Sequence, residues 1–569
     1  MPRFRSRVVS ILLRLIMSIA PRKQDILAVV LGAGLPLGFA PYGWWPLTGV
    51  AAGGLYYLCT QHREGLARLC WWFAVGKNSI GISWVYVSIS VYGDTSMLAA
   101  FAVVASLVAL MSLFMLPVGF CFQRLRGFNP VLNLLLFCSL WLVSEWLFTW
   151  LLTGFPWLFA GYSLSGTLYS VYAPLFGVFG MSFILLLTAS GWLELIRRYL
   201  PDEGTAPPTT KAPMRLVGVI CIVAPMLGAS ALDRFGVQWV TSQGRYQVAL
   251  VQGNIDQSIK WQPDQLQQNV ERHIQLTEPY WEGDLILWPE FALTLYGQAG
   301  DRVVQRLEQL GQQYGANVII GAPLVEWTPQ EPERDYRIYN AAIGLGEASG
   351  RFSKHHLVPF GDYVPFEDAL RGLIGFFDLP MSSTSAGLAQ QPNVSLRLTG
   401  PDGVADTQVA IGICYEIAYG NAMRQRAEEA GLLVTLSNDT WFGESIGPHQ
   451  HMQIAQMRAL ENGRWLLRAT NNGITAIVDH RGVIRDQLPQ FEEGVLTGEF
   501  EVMEGRTPYS SLGDWPLFWL IITILGVSWW FREASGRGRD ALLQKRRSKR
   551  LPDFESDTSS DSEPDSARQ

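Results

Sequence analysis

Cys414 closes the apolar run Val409-Ala-Ile-Gly-Ile-Cys-Tyr-Glu416. Residues 409–413 have the composition of a buried strand, and Tyr419-Gly420 opens a polar, helix-like stretch reaching about Ala430. A sulfur placed where a strand breaks into a helix sits on a sharp turn and is presented to a cleft, with backbone N–H groups at hand for a developing oxyanion. Such a thiol could attack an acyl carbon and carry the acyl group as a thioester. The same residues also read as a small buried hydrophobe, the usual fate of a free cysteine. The other five cysteines, Cys59, Cys70, Cys121, Cys138 and Cys221, lie in strongly apolar segments, so Cys414 has no disulfide partner in the soluble stretch. No CxxC pair argues for zinc or redox chemistry.

Two further strand ends carry ionisable groups. Leu285-Ile-Leu-Trp-Pro-Glu290 ends an apolar run in a carboxylate, and Phe352-Ser-Lys-His-His-Leu-Val-Pro-Phe-Gly-Asp362 puts Lys354 beside a turn-rich segment. Ends of different strands can converge in one cleft. A carboxylate there would take the thiol proton, and an ammonium would steady the thiolate and then an oxyanion; an ordinary thiol, with pKa near ~8.5, needs that help at neutral pH. Taken singly, Glu290 and Lys354 read more readily as surface ions.

The elements that must position these groups follow from composition. The chain has 569 residues, is 49% hydrophobic and only 17% charged, and holds 21 tryptophans. Membrane spans joined to a soluble part fit that balance, and no basic face suggests nucleic acid. Residues 1–24 read as an uncleaved basic tail rather than a signal peptide, since Arg14 interrupts the apolar piece. Residues 25–244 hold seven apolar segments, at 25–41, 44–60, 69–90, 97–122, 130–153, 168–195 and 214–234, each near the ~20 residues of a crossing helix. Arg63 and Arg68, Arg124 and Arg126, and Arg197, Arg198, Lys211 and Arg215 fall in alternate loops, with the loops between them free of Arg and Lys. That alternation predicts a cytoplasmic N-terminus.

Residues 245–503 alternate short apolar strands with polar helices: strands at 246–251, 285–288, 318–321, 339–344, 408–413, 432–437, 465–469 and 475–478, helices at 264–278, 301–314, 421–430 and 449–463. This predicts one layered α/β domain on the outer face. Residues 504–531 add a linker and an eighth span. Residues 532–569 form a basic and then acidic tail, predicted to be disordered and cytoplasmic. Lys77 and Glu145 lie inside apolar spans and read as functional groups or an interhelical pair. Arg458, Arg464 and Arg468 read as structural ions or lipid-headgroup contacts. His449 and His451 have no Cys or His set to complete a metal site.

Trp-Pro-Glu290, Lys354 before His-Leu-Val-Pro-Phe-Gly, and Cys414-Tyr-Glu416 together resemble the carbon–nitrogen hydrolase (nitrilase) superfamily, which uses a Glu–Lys–Cys triad on an αββα sandwich. Val251-Gln-Gly-Asn-Ile255 with Lys260-Trp261, Phe377-Asp-Leu-Pro-Met381, Ser437-Asn-Asp-Thr-Trp-Phe-Gly443 and Thr470-Asn-Asn-Gly473 resemble the apolipoprotein N-acyltransferase family. So do Trp84-Val-Tyr-Val-Ser88 and Thr153-Gly-Phe-Pro-Trp157, and so does the order of seven spans, soluble domain and one span; the likeness covers about residues 25–531. It implies a fold of about eight transmembrane helices plus the αββα domain in the inner membrane of a bacterium, with the domain in the periplasm and both termini in the cytoplasm.

The resemblance implies transfer of the sn-1 acyl chain of a phospholipid, commonly phosphatidylethanolamine, to Cys414 and then to the N-terminal amine of a diacylglyceryl-cysteine apolipoprotein. It implies no cofactor or metal, and a monomer. It gives Glu290 the role of base, Lys354 that of oxyanion stabiliser, and Tyr415 and Glu416 that of shaping the site. Trp261 and Trp441 would stand at a lipid-facing mouth, with Asn340 and Asp362 in support. At Asp362 the family's pattern has Glu, so the carboxylate is kept with one methylene less reach. Two rival functions stay open on the residues: a membrane-tethered amidase with water as acceptor, and a transporter or lipid-binding module without activity.

Overall fold

The computed structural model describes residues 22–93, 95–200, 211–295, 297–328, 336–359, 361–363, 383–400 and 403–548. Residues 1–21 of the tail expected at 1–24, residues 549–569 of the tail expected at 532–569, and the stretch Phe377–Met381 lie outside the described residues.

Among the described residues five helices are long and apolar enough to cross a membrane: Met97–Leu125, Pro130–Leu147, Leu168–Tyr199, Pro213–Phe235 and Trp515–Ala534. They coincide with five of the predicted segments. Of the first three predicted segments, the first and third divide into shorter pieces. Residues 25–41 divide into the helix Lys23–Gly34 and a 3₁₀ turn Leu35–Gly38 that carries Pro36 in its first turn. Residues 44–60 form the helix Trp45–Gln61. Residues 69–90 split into Leu66–Gly81 and Trp84–Val91, where the chain turns at Ile82-Ser83. A Cβ on Gly32 would stand 1.9 Å from the Phe73 carbonyl oxygen, and one on Gly76 would stand 2.0 Å from that of Val29. The helices Lys23–Gly34 and Leu66–Gly81 therefore touch backbone to backbone, as small residues allow in a membrane bundle.

The second half builds two six-stranded sheets. In chain order the strands are β1 (Val240–Gln252), β2 (Leu285–Leu287), β3 (Asn317–Trp327), β4 (Tyr336–Gly346), β5 (Arg351–Ser353), β6 (Val394–Gly400), β7 (Gly403–Ile413), β8 (Leu432–Ser437), β9 (Leu466–Thr470), β10 (Ala476–Val478), β11 (Ile484–Gln487) and β12 (Gly494–Gly505). One sheet runs β12-β1-β2-β3-β4-β5 and the other β11-β10-β9-β8-β7-β6. Strands β1, β2 and β3 are mutually parallel, as are β7, β8 and β9.

Side chains alternate across each sheet with period two. Val248, Leu250, Leu287 and Ile319 of the first sheet meet Val409, Ile411, Val434 and Leu467 of the second in one core. Ala249, Val251, Ile286 and Val318 turn the other way, onto Val270 and Ile274 of the helix Leu266–Thr277 and Leu307 of Gly297–Tyr314. On the far side Ala410, Leu433 and Leu466 pack against Met423 of Gly420–Ala427 and Ala455 of Gly447–Asn462. The order is helix, sheet, sheet, helix: the αββα sandwich that the sequence predicts. This last core is continuous with that of the membrane helices, where Phe73, Trp141, Trp157 and Phe179 are buried.

The two halves are bolted together by buried polar contacts. Helix Ala173–Ile196 breaks at Gly177 (φ 63°), and the freed Val178 N–H donates to Glu461 Oε1 at 2.7 Å. Arg458, fully buried, pairs with Glu461 at 3.1 Å and donates to the Tyr162 hydroxyl at 3.2 Å. Glu145, buried in the bundle, accepts from Trp141 Nε1 at 2.9 Å and from the Ala160 N–H at 2.7 Å. It thereby pins the segment that leads from the membrane helix Pro130–Leu147 to the domain's underside.

Candidate active site

The groups singled out in the sequence meet at one end of the two facing sheets. Glu290 lies just past β2, Asn340 on β4, Lys354 one residue past β5, and Cys414 one residue past β7. Cys414 (φ 53°) and Phe291, the neighbour of Glu290 (φ 51°), both have left-handed backbone. Non-glycine residues rarely adopt that conformation, and strain of this kind collects at working sites. The turn Cys414–Ala418 follows at once and leads into Gly420–Ala427.

Both carboxylate oxygens of Glu290 and its backbone carbonyl are held. Its Oε1 accepts from Asn340 Nδ2 at 2.7 Å and lies 3.3 Å from Lys354 Nζ. Its Oε2 accepts the Asn438 N–H at 2.9 Å, and its backbone carbonyl accepts from Lys260 Nζ at 3.2 Å. Lys354 Nζ also meets Asp362 Oδ2 at 2.8 Å. The shorter Asp362 side chain thus reaches the lysine directly. Glu290, Asn340, Lys354, Asp362 and Lys260 are all buried.

Charge sets the resting state. Burial pushes the Cys414 thiol well above its ordinary range, and the Glu290 carboxylate pushes it further, with Lys354 pulling the other way. Cys414 therefore rests as a thiol beside an acceptor for its proton. Burial alone would lower Lys354, but Asp362 first, and then Glu290 and Cys414, hold it well above the usual lysine value. Burial lowers Lys260 to about 8, against the pull of Glu290.

The turn around Cys414 is fastened from both sides. Glu416, fully buried, accepts the N–H groups of His355 (2.9 Å) and His356 (3.1 Å) on Oε1, and that of Ile413 (3.0 Å) on Oε2. Burial would raise its pKa, but Arg426, the His356 ring and these N–H groups reverse that and hold it at about 2. Glu416 thus ties the backbone beside Lys354 to the backbone beside Cys414. Behind the nucleophile the His451 ring lies 3.0 Å from the Cys414 carbonyl oxygen on one side and 3.0 Å from Asp439 Oδ1 on the other, and Arg468 pairs with Asp439 at 2.6 Å.

The membrane half supplies the floor. The Tyr415 ring stacks on Phe155 and Trp157, each at 6.1 Å, and its hydroxyl donates to the Gly154 carbonyl at 3.2 Å. Tyr419 donates to the Thr153 carbonyl at 2.9 Å. The half-buried Trp441 sets its ring against Tyr92 at 5.7 Å, while its carbonyl accepts from Ser88 at 2.8 Å. Trp261 meets Phe291 edge-on at 5.5 Å, next to Glu290.

Lys260, Asn438, Tyr419 and the Asp439–His451–Arg468 cluster join the site without having been singled out as site residues. Their contribution is a contact across long stretches of chain. A partial signal existed in Ser437-Asn-Asp-Thr-Trp-Phe-Gly443, a dense polar–aromatic run directly after a buried strand.

A family model described as carbon-nitrogen hydrolase matches residues 247–507. With the buried Glu, Lys and Cys and the apolar helices beneath them, the class is a carbon–nitrogen hydrolase domain set on a membrane bundle. A second model, the apolipoprotein N-acyltransferase N-terminal domain, matches residues 31–191. The apolipoprotein N-acyltransferase of Pseudomonas aeruginosa strain UCBPP-PA14 is 38% identical over 497 residues, covering 86% of this chain and 93% of that protein. That of Azotobacter vinelandii is 39% identical over 510 residues, covering 88% and 94%. That of Vibrio parahaemolyticus is 35% identical over 528 residues, covering 89% and 97%. The chain belongs to the apolipoprotein N-acyltransferase family.

Proposed function

We propose that the enzyme takes an acyl chain from the sn-1 ester of a membrane phospholipid, with phosphatidylethanolamine the expected donor, and passes it to the N-terminal amine of a diacylglyceryl-cysteine apolipoprotein. The observation that carries this reading is the buried cluster of Glu290, Lys354 and Cys414 lying directly on the aromatic floor of the membrane half. In the first step Glu290 takes the thiol proton and the sulfur attacks the ester carbonyl. Lys354 faces the oxyanion, the carbon–oxygen bond breaks, and the lysophospholipid leaves with the proton from Glu290. In the second step the amine attacks the thioester and gives a proton to Glu290. A carbon–nitrogen bond forms, the carbon–sulfur bond breaks, and the proton returns to sulfur.

In this reading Asn340 and Asp362 hold Glu290 and Lys354 in register, Glu416 and Tyr415 fix the turn, and Trp261 and Trp441 line the lipid approach. Both substrates keep their tails in the bilayer, and each buried CH₂ is worth about 0.8 kcal/mol. A site seated on the membrane helices spares that cost, and its aromatic walls keep water from the thioester.

The same reading sets about eight crossings, with the helices Lys23–Gly34, Trp45–Gln61 and Leu66–Gly81 with Trp84–Val91 supplying the three beyond the five long ones. The chain is a monomer in the bacterial inner membrane, with the domain in the periplasm and both termini in the cytoplasm. The Arg and Lys residues of alternate loops support that orientation. Mass spectrometry of Cys414 after exposure to phosphatidylethanolamine tests the proposal. A hydroxylamine-sensitive acyl adduct that disappears in Cys414→Ala, and moves to the amine of an added diacylglyceryl-cysteine peptide, is the expected result. Free fatty acid with no N-acylated peptide would instead mark a hydrolase.

A further inference from the structure

A groove of about 1060 Å³ opens between Lys23–Gly34, Trp45–Gln61 and Ala173–Ile196, on the membrane half alone. Every residue lining it lies between Arg22 and Leu200, so it shares nothing with the cluster around Cys414. Its walls are apolar, with Leu27, Leu31, Val50, Leu185 and Ile196 among them. Its depth comes from small residues. A Cβ on Gly53 would stand 3.1 Å from the Ala189 carbonyl oxygen, whereas one on Gly49 would meet only the Ala189 Cβ, at 3.8 Å.

The two ends differ. Helices Lys23–Gly34 and Trp45–Gln61 run antiparallel, which puts Arg22, Lys23, Gln61 and His62 together at one end. Trp45 and Tyr169 close the other, with rings 6.0 Å apart. The intervening 17-residue helix is about 25 Å long, close to the ~30 Å hydrocarbon core. Among the described residues no Asp or Glu lines the groove. The carboxylates on the same helices are already engaged: Asp25 pairs with Arg68 at 2.6 Å and accepts the Arg22 N–H at 2.7 Å, and Glu194 pairs with Arg197 at 2.8 Å. Arg22 and Lys23 are exposed at the start of the helix.

We propose that this groove binds one anionic glycerophospholipid as a resident lipid, with its phosphate at Arg22 and Lys23 and its chains along the apolar wall. The charge at one end selects the headgroup, and the length and apolarity of the rest select acyl chains over any soluble anion. The inference is independent of the acyl-transfer reading, because none of its residues belongs to the catalytic cluster.

The test is native mass spectrometry of the full-length protein, delipidated in detergent and offered equimolar phosphatidylglycerol and phosphatidylcholine. One phosphatidylglycerol should stay bound in preference. The Arg22→Gln/Lys23→Gln protein should lose that preference by about fivefold per charge removed, since each cation beside an anionic lipid is worth about 1 kcal/mol. Gly49→Leu, which fills the groove, should lose both lipids. The Cys414→Ala protein should bind phosphatidylglycerol as the parent does, which separates this site from a donor site. Equal retention of the two lipids by the parent, or unchanged preference after removal of both cations, would overturn the proposal. The double charge variant decides alone if Gly49→Leu does not fold.

Discussion

At the residue scale, the thiol of Cys414 and the carboxylate of Glu290 pull on one proton. Burial and Glu290 raise the thiol, and Lys354 lowers it. Two measurements should therefore part company. In Glu290→Gln the neighbouring negative charge is gone, so alkylation of Cys414 by iodoacetamide at neutral pH should quicken. Acyl transfer by the same protein should fall by about 10²–10⁴-fold, because the base is lost. Lys354→Met should slow alkylation and also abolish transfer. A Glu290→Gln protein that alkylates more slowly than its parent would contradict this charge balance.

Glu416 gives a second test at this scale. Its folded pKa of about 2 lies below the ordinary 4.5. A depressed carboxylate stabilises the fold above its unfolded pKa, and that stability drains away as pH falls through the folded one. The difference corresponds to roughly 3 kcal/mol at neutral pH. Glu416→Gln should thus lower the stability of the domain by that order at pH 7. The gap between variant and parent should close between about pH 5 and pH 2, as followed by denaturant unfolding.

At the scale of elements, strands that are apolar on both faces are legible in the sequence. β2, β8 and β9 are buried along their length, and their runs stand out against polar flanks. β5, β6, β11 and β12 pass unnoticed because they are short or lie at sheet edges. Glu499 and Glu501, for example, face Arg245 across β12 and β1, which breaks the apolar pattern. The ends of β2 and β7, which carry Glu290 and Cys414, are legible for the same reason as the buried strands, whereas Lys354 follows the unnoticed β5 and is legible only through the motif around it. Lys260 and Asn438 are not, since nothing local says that a lysine will be buried against a carbonyl 30 residues away.

The membrane helices show the converse. Average apolarity predicts the segment 69–90 as one span, but the turn at Ile82-Ser83 depends on packing that composition does not record. Close contact of Lys23–Gly34 with Leu66–Gly81 gives a direct prediction. Gly76→Val would drive a side chain into the Val29 carbonyl, whereas a Cβ on Gly34 meets nothing within 4 Å. Thermal unfolding in detergent should show a clear loss of Tm for Gly76→Val and almost none for Gly34→Ala. A cost of 1–3 kcal/mol is typical for overpacking.

At the scale of the whole molecule, the domain does not swing on a tether. Glu461 holds the broken helix at Val178, Arg458 reaches Tyr162, and Tyr415 and Tyr419 both grip the carbonyls at Thr153-Gly154. In the proposed reading the site is therefore fixed in height above the bilayer, and substrates come to it along the membrane. The proposed topology is checked by labelling single cysteines in intact cells with an impermeant maleimide. Gln305→Cys, on an exposed helix of the domain, should react from outside. Ser559→Cys, in the C-terminal tail, should react only after the inner membrane is opened. The reverse pattern would invert the orientation.

The pairing of β1 with β12 reaches beyond the finished protein. Val240 sits opposite Gly505 and Gln252 opposite Gly494, so the first and last strands of the domain lie side by side. Gln247 and Glu499, which bond across that seam, are 252 residues apart. During synthesis β1 emerges long before its neighbour exists and waits with one edge bare. Bare edges invite pairing with other chains. In the proposed topology the domain can be sealed only once nearly all of it has been threaded across the membrane, so a nascent chain stalled before residue 494 is the species that quality-control proteases should recognise first.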